Sequence, residues 1–412
     1  MSSVHIPRRL SAAFWGGTER VLAETLPYLP EEQYQPRIFT TNALGGEEFD
    51  QLDTVPIRRF DYLYPEWPLS RERHRQYDLC GGNLVSFSLA QELSKTPNLK
   101  IVHCHTGNRL GAQCLRAARK RKVPCLLTLH GGYFDIPQEH AEKQKGIPKE
   151  ISLPWGKVLS AIWQTPQLVA DVDALICVGL QEYEKAKAAL PDQRVEYLPG
   201  GVDLEQFRYP SSNQHRANLG IREDEVVVLC VARLDHQKDQ ATLIQAIHQI
   251  EPLPHLLLVG PETSAGYRDE LHRLVENLGL HSNIHFLGGV QPADIPSFYQ
   301  AADIAVLPSL HEPFGLGLIE AWASETPIIC SNRGFPGWVL QKQEEGLLFE
   351  PGQFIQLRQC IQQLIQSESR ALELVTAGAR KARQFTWRAR AKRLTAIYDE
   401  LIEREENQKH AA

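Results

Sequence analysis

HEPFGLGLIEA, from His311 to Ala321, is flanked by the apolar run DIAVLP, Asp303 to Pro308, and merges into a helix-forming stretch, LGLIEAWAS. The short unbroken apolar run reads as a buried strand and the stretch after it as a helix. The glycine-bearing turn therefore lies at a strand's carboxyl end. Gly315 and Gly317 let the backbone approach a ligand closely, and the first amides of the helix are unpaired donors in a partly positive field. Sugar hydroxyls and phosphates both suit such donors. Glu312 projects from the loop, while Glu320, eight residues on, falls about five residues into the helix, roughly 7.5 Å along its axis at ~1.5 Å per residue. Two carboxylates so spaced can grip different parts of one extended ligand. By spacing alone the better fit is a helix-terminal acid favoured by the dipole and a solvated helix residue.

Outward from this stretch, short apolar runs alternate with helical patterns, which predicts parallel sheets with crossover helices. In the second half VVVLCVAR, HLLLVGP, IHFLGG, IAVLPS and PIICSN read as strands, separated by helices such as ATLIQAIHQI and RDELHRLVENLG. In the first half RIFTT, KIVHCH, CLLTLH, ALICVG and VEYLPG follow the same rhythm. A chain of 412 residues is too long for one ordinary core, so two domains are expected. QFRYPSSNQHRANLG between the halves is polar and without apolar periodicity, which puts a linker at 207–218 between domains of 1–206 and 219–384.

The bulk composition excludes several function classes. A net charge of −6 argues against a general nucleic-acid binder. No signal-peptide core and no run of about 18 apolar residues is present, so a cytoplasmic location is expected. The eight cysteines include no C-x-x-C pair, and Cys125, Cys177, Cys230 and Cys330 fall in strand-like runs, as buried reduced thiols do. Arg116, Arg119, Lys120, Arg121 and Lys122 form the one dense basic run, at a helix carboxyl end that suits cations. A peripheral contact with the inner face of a membrane is its minority reading.

With the flanking VLPS and EAWA, the opening stretch resembles the E-x7-E signature of the retaining glycosyltransferases of family 4. The resemblance covers nearly all of the second half and resumes at landmarks in the first. It implies the GT-B fold, two Rossmann-like α/β domains facing each other across a cleft, with the last helix, 385–412, returning to the first domain. It implies that Glu312 contacts the transferred sugar and Glu320 the nucleotide ribose, with Phe314, Gly315, Leu316 and Gly317 also at the donor. The near match of GLGLIE to a dinucleotide fingerprint is weak, because Glu320 replaces the third glycine.

The remaining motifs fall after predicted strands. ARLDHQKD places Arg233 and Lys238 five apart on a loop, where both can reach one pyrophosphate. As bare spacing they are solvated cations; their match to the family's R-x4-K motif implies that they stabilise the departing diphosphate. WGGTER sets Gly16 and Gly17 at a helix entry, a plain turn by spacing and a phosphate- or sugar-binding loop by resemblance. TLHGG puts His130 at a strand end, where the resemblance implies a catalytic or donor-orienting role.

No metal site is expected. Asp171-Val-Asp173 precedes a strand rather than following one, and His103 and His105 share a strand face without an acidic or cysteine partner at ligand spacing. The expected activity is therefore transfer of a sugar from a nucleoside diphosphate to a saccharide, lipid-linked or small-molecule acceptor, with no cofactor. The rivals are a nucleotide-sugar epimerase, a glycosidase using Glu312 and Glu320 as its acid pair, and a noncatalytic nucleotide-sugar sensor. Two departures stand out against the family: Gly200 in LPGGVDLEQF where asparagine is usual, and NRGFPGW after PIICS, with Phe335 at a glycine position and Trp338 at a glutamate position. Trp338 there offers an aromatic face in place of a carboxylate.

Overall fold

The computed structural model describes residues 2–11, 16–66, 68–134, 167–209 and 214–411. The chain divides into two compact units, Met1–Pro199 with Trp387–Ala412, and Gly200–Thr386. In the first unit the strands are β1 (Ser2–Ile6), β2 (Gln35–Thr41), β3 (Phe49–Leu52), β4 (Val55–Phe60), β5 (Leu99–Cys104), β6 (Cys125–Leu129), β7 (Ala174–Cys177) and β8 (Val195–Tyr197). They lie in the order β3-β4-β2-β1-β5-β6-β7-β8, parallel except for the antiparallel β3–β4 pair. In the second unit β9 (Val227–Val231), β10 (His255–Val259), β11 (Ile284–Gly288), β12 (Ile304–Leu307), β13 (Ile328–Ser331) and β14 (Leu347–Phe349) form an all-parallel sheet in the order β11-β10-β9-β12-β13-β14.

The pleat sorts each strand's residues onto two covered faces. Val228, Cys230, Leu256, Leu258, Ile304 and Val306 pack under the helices Gln240–Ile247, Tyr267–Leu278 and Phe354–Gln366. Their neighbours Val227, Leu229, Leu257, Val259, Ala305 and Leu307 face the opposite layer, with Phe298, Leu318 and Trp322. Each buried Val, Leu, Ile or Phe among them contributes roughly 1.5–3 kcal/mol by leaving water. Both sheets have a switch point where the winding direction reverses, between β1 and β5 in the first and between β9 and β12 in the second. Ligands of open α/β sheets bind beyond the strand carboxyl ends at such points.

The first unit is closed by the helix Trp387–Ala411, whose Ala391, Leu394, Ile397, Tyr398 and Leu401 pack with Leu22, Leu26, Ile101, Leu126 and Ile176. The linker expected at 207–218 is a correction. Phe207 is buried in the second unit's core at the end of the helix Leu204–Arg208, and the chain passes between the units at Pro199–Gly200 and Thr386–Trp387. Residues 210–213 of that expected linker lie outside the described residues, as do Trp15 of WGGTER, Trp67, and most of the long loop after His130.

The basic run lies on the helix Arg109–Arg121, where Arg121 donates to the Ser94 and Thr96 carbonyls and Arg119 to the Asp171 carbonyl. Asp173 accepts the Cys125 amide at 2.8 Å, so its carboxylate joins a helix-to-strand turn to β6. Cys104, Cys114, Cys125, Cys177, Cys230 and Cys330 are buried thiols outside any disulfide. Among the described residues no helix is long and apolar enough to cross a membrane.

Candidate active site

In the second unit, Arg233 and Lys238 follow β9 and Glu312 follows β12, so all three leave the strands that flank the switch point. A single turn of 3-10 helix, His236–Lys238, ends in Asp239 with a left-handed backbone, which aims Lys238 across to the next loop. Two bonds join these loops: the Leu310 amide to the Gln237 carbonyl at 2.8 Å and the Gln237 amide nitrogen Nε2 to the His311 carbonyl at 3.2 Å. Lys238 Nζ thereby reaches Glu312 Oε2 at 2.5 Å, and the Ser309 hydroxyl donates to the same oxygen at 3.0 Å. Burial presses the Glu312 carboxyl upward, but the charge and hydrogen bond of Lys238, the Ser309 hydroxyl and nearby His311 outweigh it and hold the group below the ordinary carboxylate range. Arg233 is more open. Its guanidinium donates to Thr263 Oγ1 at 2.9 Å and lies 3.6 Å from Asp235 Oδ2, with 42% of the side chain exposed, so it can still turn toward a ligand.

The glycines of the turn meet separate steric demands. Gly315 has φ 74° at the start of the helix Leu316–Ala323, a conformation that penalises side chains, and a Cβ on Gly317 would come within 3.0 Å of Leu307. Glu320 sits on that helix, 2% exposed, with the Tyr299 hydroxyl 3.1 Å from Oε2 and 3.2 Å from the Gly317 carbonyl. One hydroxyl proton can serve only one of these acceptors at a time. The Phe314 side chain is part of the core, packed at 5.0 Å on Phe335, so only its backbone is available to a donor. Leu316 is partly buried against the same core. The glycine at position 200 has a physical reason: a Cβ there would stand 2.8 Å from Phe314 and 3.0 Å from Leu316, leaving no room for asparagine.

In the first unit, Gly16 caps the helix Gly17–Thr25 in extended backbone, and its amide donates to Glu19 Oε2 at 3.1 Å. A Cβ on Gly16 would strike that carboxylate at 2.9 Å, whereas one on Gly17 would meet open space. His130 follows β6. The loop after it is held by the buried Glu182 carboxylate, which accepts the Gly131 amide at 3.1 Å and the Tyr133 amide at 3.0 Å. The nitrogens His130 Nε2 and His105 Nδ1 are 3.1 Å apart, and His105 Nε2 is 3.4 Å from His5 Nδ1. Parallel register places His5 directly beside His103, whose ring nitrogens meet the Tyr398 hydroxyl at 2.6 Å and the Thr128 hydroxyl at 2.7 Å. His5, His103 and His105 thus bring three ligand-type atoms within 4.8 Å of one another. Burial pushes all four imidazoles down, His5 and His130 to about 3, with the Arg390 charge adding to the effect on His103, His105 and His130.

The family described as Glycosyltransferase Family 4 matches residues 15–206, and that described as Glycosyl transferases group 1 matches residues 211–382. D-inositol 3-phosphate glycosyltransferase 1 of Catenulispora acidiphila is 30% identical over 322 residues, 74% of this chain and 72% of that protein. The chain belongs to glycosyltransferase family 4. A D-inositol 3-phosphate glycosyltransferase of Segniliparus rotundus is 30% identical over 273 residues, 64% of this chain, and the match spans 61% of that relative's length. Among solved structures, Anabaena Alr3699/HepE in complex with UDP-glucose has a TM-score of 0.73 at 19% identity, covering 97% of this chain and all of that one. At that identity the likeness speaks to the fold, which is GT-B. Membership places the chain among glycosyltransferases rather than the epimerases or glycosidases that two carboxylates alone admit.

Sequence reading of this family member missed Ser309, Tyr299, Glu182 and His5. Ser309 and Tyr299 carry no signal beyond their place in a strand end and a helix, and Glu182 reads as an ordinary first-turn acid. His5 becomes visible only when β1 is recognised as the neighbour of β5. The stretch NRGFPGW forms the short helix Phe335–Val339, and Gly334 at φ 71° is obligatory because a Cβ would stand 2.0 Å from the Glu312 carbonyl. Phe335 is buried and donates its amide to that carbonyl at 3.0 Å, while Trp338 is 50% exposed, so Trp338 is not core. Trp338→Ala should shift donor or acceptor preference and change stability by no more than about 0.5 kcal/mol. A large fall in melting temperature with unchanged substrate preference would show the indole to be structural.

Proposed function

We propose that this glycosyltransferase moves a hexose or related sugar from a nucleoside-diphosphate donor to a hydroxyl of a saccharide, lipid-linked or small-molecule acceptor. The transfer keeps the donor's anomeric configuration and uses no divalent cation. The observation that carries the reading is the grouping of Arg233, Lys238 and Glu312 at the switch point of the second unit. As the sugar departs, negative charge grows on the diphosphate. Fixed cations stabilise it, a single preorganised contact being worth about a hundredfold to a thousandfold in rate. Arg233 and Lys238 are assigned to that task. Lys238 has three donors, so its bond to Glu312 leaves others for phosphate oxygens. Glu312, anchored by Lys238 and Ser309, is assigned to the transferred sugar and Glu320 to the ribose. Gly16 and Gly17 are assigned to the donor, and His130 to the transfer step. A noncatalytic sensor of the same fold has no need of a lysine and carboxylate held in contact beside a second cation.

The test is a panel of nucleoside-diphosphate sugars assayed after exhaustive chelation, with the product anomer read by proton NMR. Retained activity and a retained anomer are expected. Activity that returns only with magnesium or manganese, or an inverted linkage, overturns the proposal. Within the same panel Glu320→Ala should weaken free nucleotide binding, whereas Glu312→Ala should chiefly lower turnover.

A further inference from the structure

The buried imidazole chain of the first unit has a direction. In a row of neutral imidazoles each nitrogen pair shares one proton, so the contacts His5 to His105 and His105 to His130 must both donate toward His130 or both away from it. The far end decides between them. His5 Nε2 is fully buried with no hydrogen-bond partner among the described residues. If the chain donates away from His130, the proton of His5 sits on that nitrogen as an orphaned buried N–H, the rarest kind of unsatisfied group. If it donates toward His130, His5 carries its proton on Nδ1 and leaves only a bare lone pair unsatisfied.

We infer that His5 and His105 are positioning residues that hold His130 in the Nδ1–H tautomer, so that His130 meets the substrate as a hydrogen-bond donor and not as a base. The inference rests on the assignment of His130 to the transfer step. The strongly depressed basicity of His5 and His130 agrees with neutral rings. A metal ion bound by His5, His103 and His105 fits these residues less well. Both nitrogens of His103 are already bonded to hydroxyls, the His103 and His105 rings stack at 4.3 Å, and among the described residues no carboxylate offsets the buried charge of Arg390.

The experiment is a long-range proton–nitrogen correlation on the full chain with nitrogen-15 histidine at neutral pH. The His130 signals should show Nδ1 protonated and Nε2 bare, and His105→Phe should mix or reverse that pattern. His105→Asn, whose amide can still donate from near the Nδ1 position, should preserve it. His105→Phe should also lower kcat about tenfold with donor KM unchanged, as loss of one oriented hydrogen bond does, and His105→Asn should restore most of it. A parent chain with His130 protonated on Nε2, or a pattern indifferent to His105→Phe, overturns the inference. If His130→Ala leaves turnover intact, the functional assignment fails instead, while the tautomer result stands.

Discussion

Lys238→Ala should lower turnover by about a hundredfold to a thousandfold and destabilise the second unit by about 3 kcal/mol. Both effects follow from one contact. Lys238 Nζ lies 2.5 Å from a Glu312 carboxylate whose side chain is only 12% exposed, and the lysine itself is 16% exposed. Removing the cation leaves a desolvated carboxylate with Ser309 as its remaining side-chain partner among the described residues, and the low end of the range for broken buried pairs applies because neither group is wholly covered. The loss of turnover has a different origin, the missing cation at the leaving diphosphate. The two separate in a double variant: Glu312→Gln added to Lys238→Ala should recover much of the stability and none of the rate. Denaturant titration and steady-state kinetics on the same preparations read both. Turnover of Lys238→Ala within threefold of the parent, with unchanged nucleotide affinity, would remove Lys238 from the mechanism.

The pairing of Lys238 with Glu312 could not be read from the chain. Each residue was legible, since both follow apolar runs, but they are 74 positions apart and meet only because β12 lies beside β9. Strand order is a property of the sheet, and nothing in either run specifies its neighbour. The second-unit strands were legible because residues covered on both faces read as unbroken apolar runs. β1 was not. SSVHI carries two serines and a histidine, yet Ser2, Ser3 and His5 are no more than 2% exposed. Its polarity disguised a central strand and with it the third member of the histidine cluster. The misplaced linker has a similar cause, since one buried aromatic, Phe207, anchors a segment whose average is polar.

The histidine cluster makes the first unit sensitive to acid. His5, His103 and His105 are buried on β1, β5 and the residues just beyond, facing Tyr398 and Arg390 of the last helix, Thr128 of β6 and His130. No carboxylate is among these contacts. The proton affinities of these three and of His130 in the folded state lie far below that of an unfolded-chain histidine near pH 6.5, so below that pH the unfolded state binds more protons and stability falls as pH falls. Each of the four contributes up to about 1.4 kcal/mol per pH unit, and together they approach about 5.5. The full stability contribution is present above about pH 6.5. Glu19, raised by burial, acts in the opposite sense with one proton against four. Unfolding of the unit that holds the cluster should therefore move steeply to lower temperature or denaturant between pH 7 and 5. His5→Asn should reduce the slope by about a quarter, since it removes one of four protons. A midpoint flat across that interval, or a slope indifferent to His5, would mean that at least one imidazole is already charged in the folded chain, and the direction assigned to the proton chain ending at His130 would fall with it.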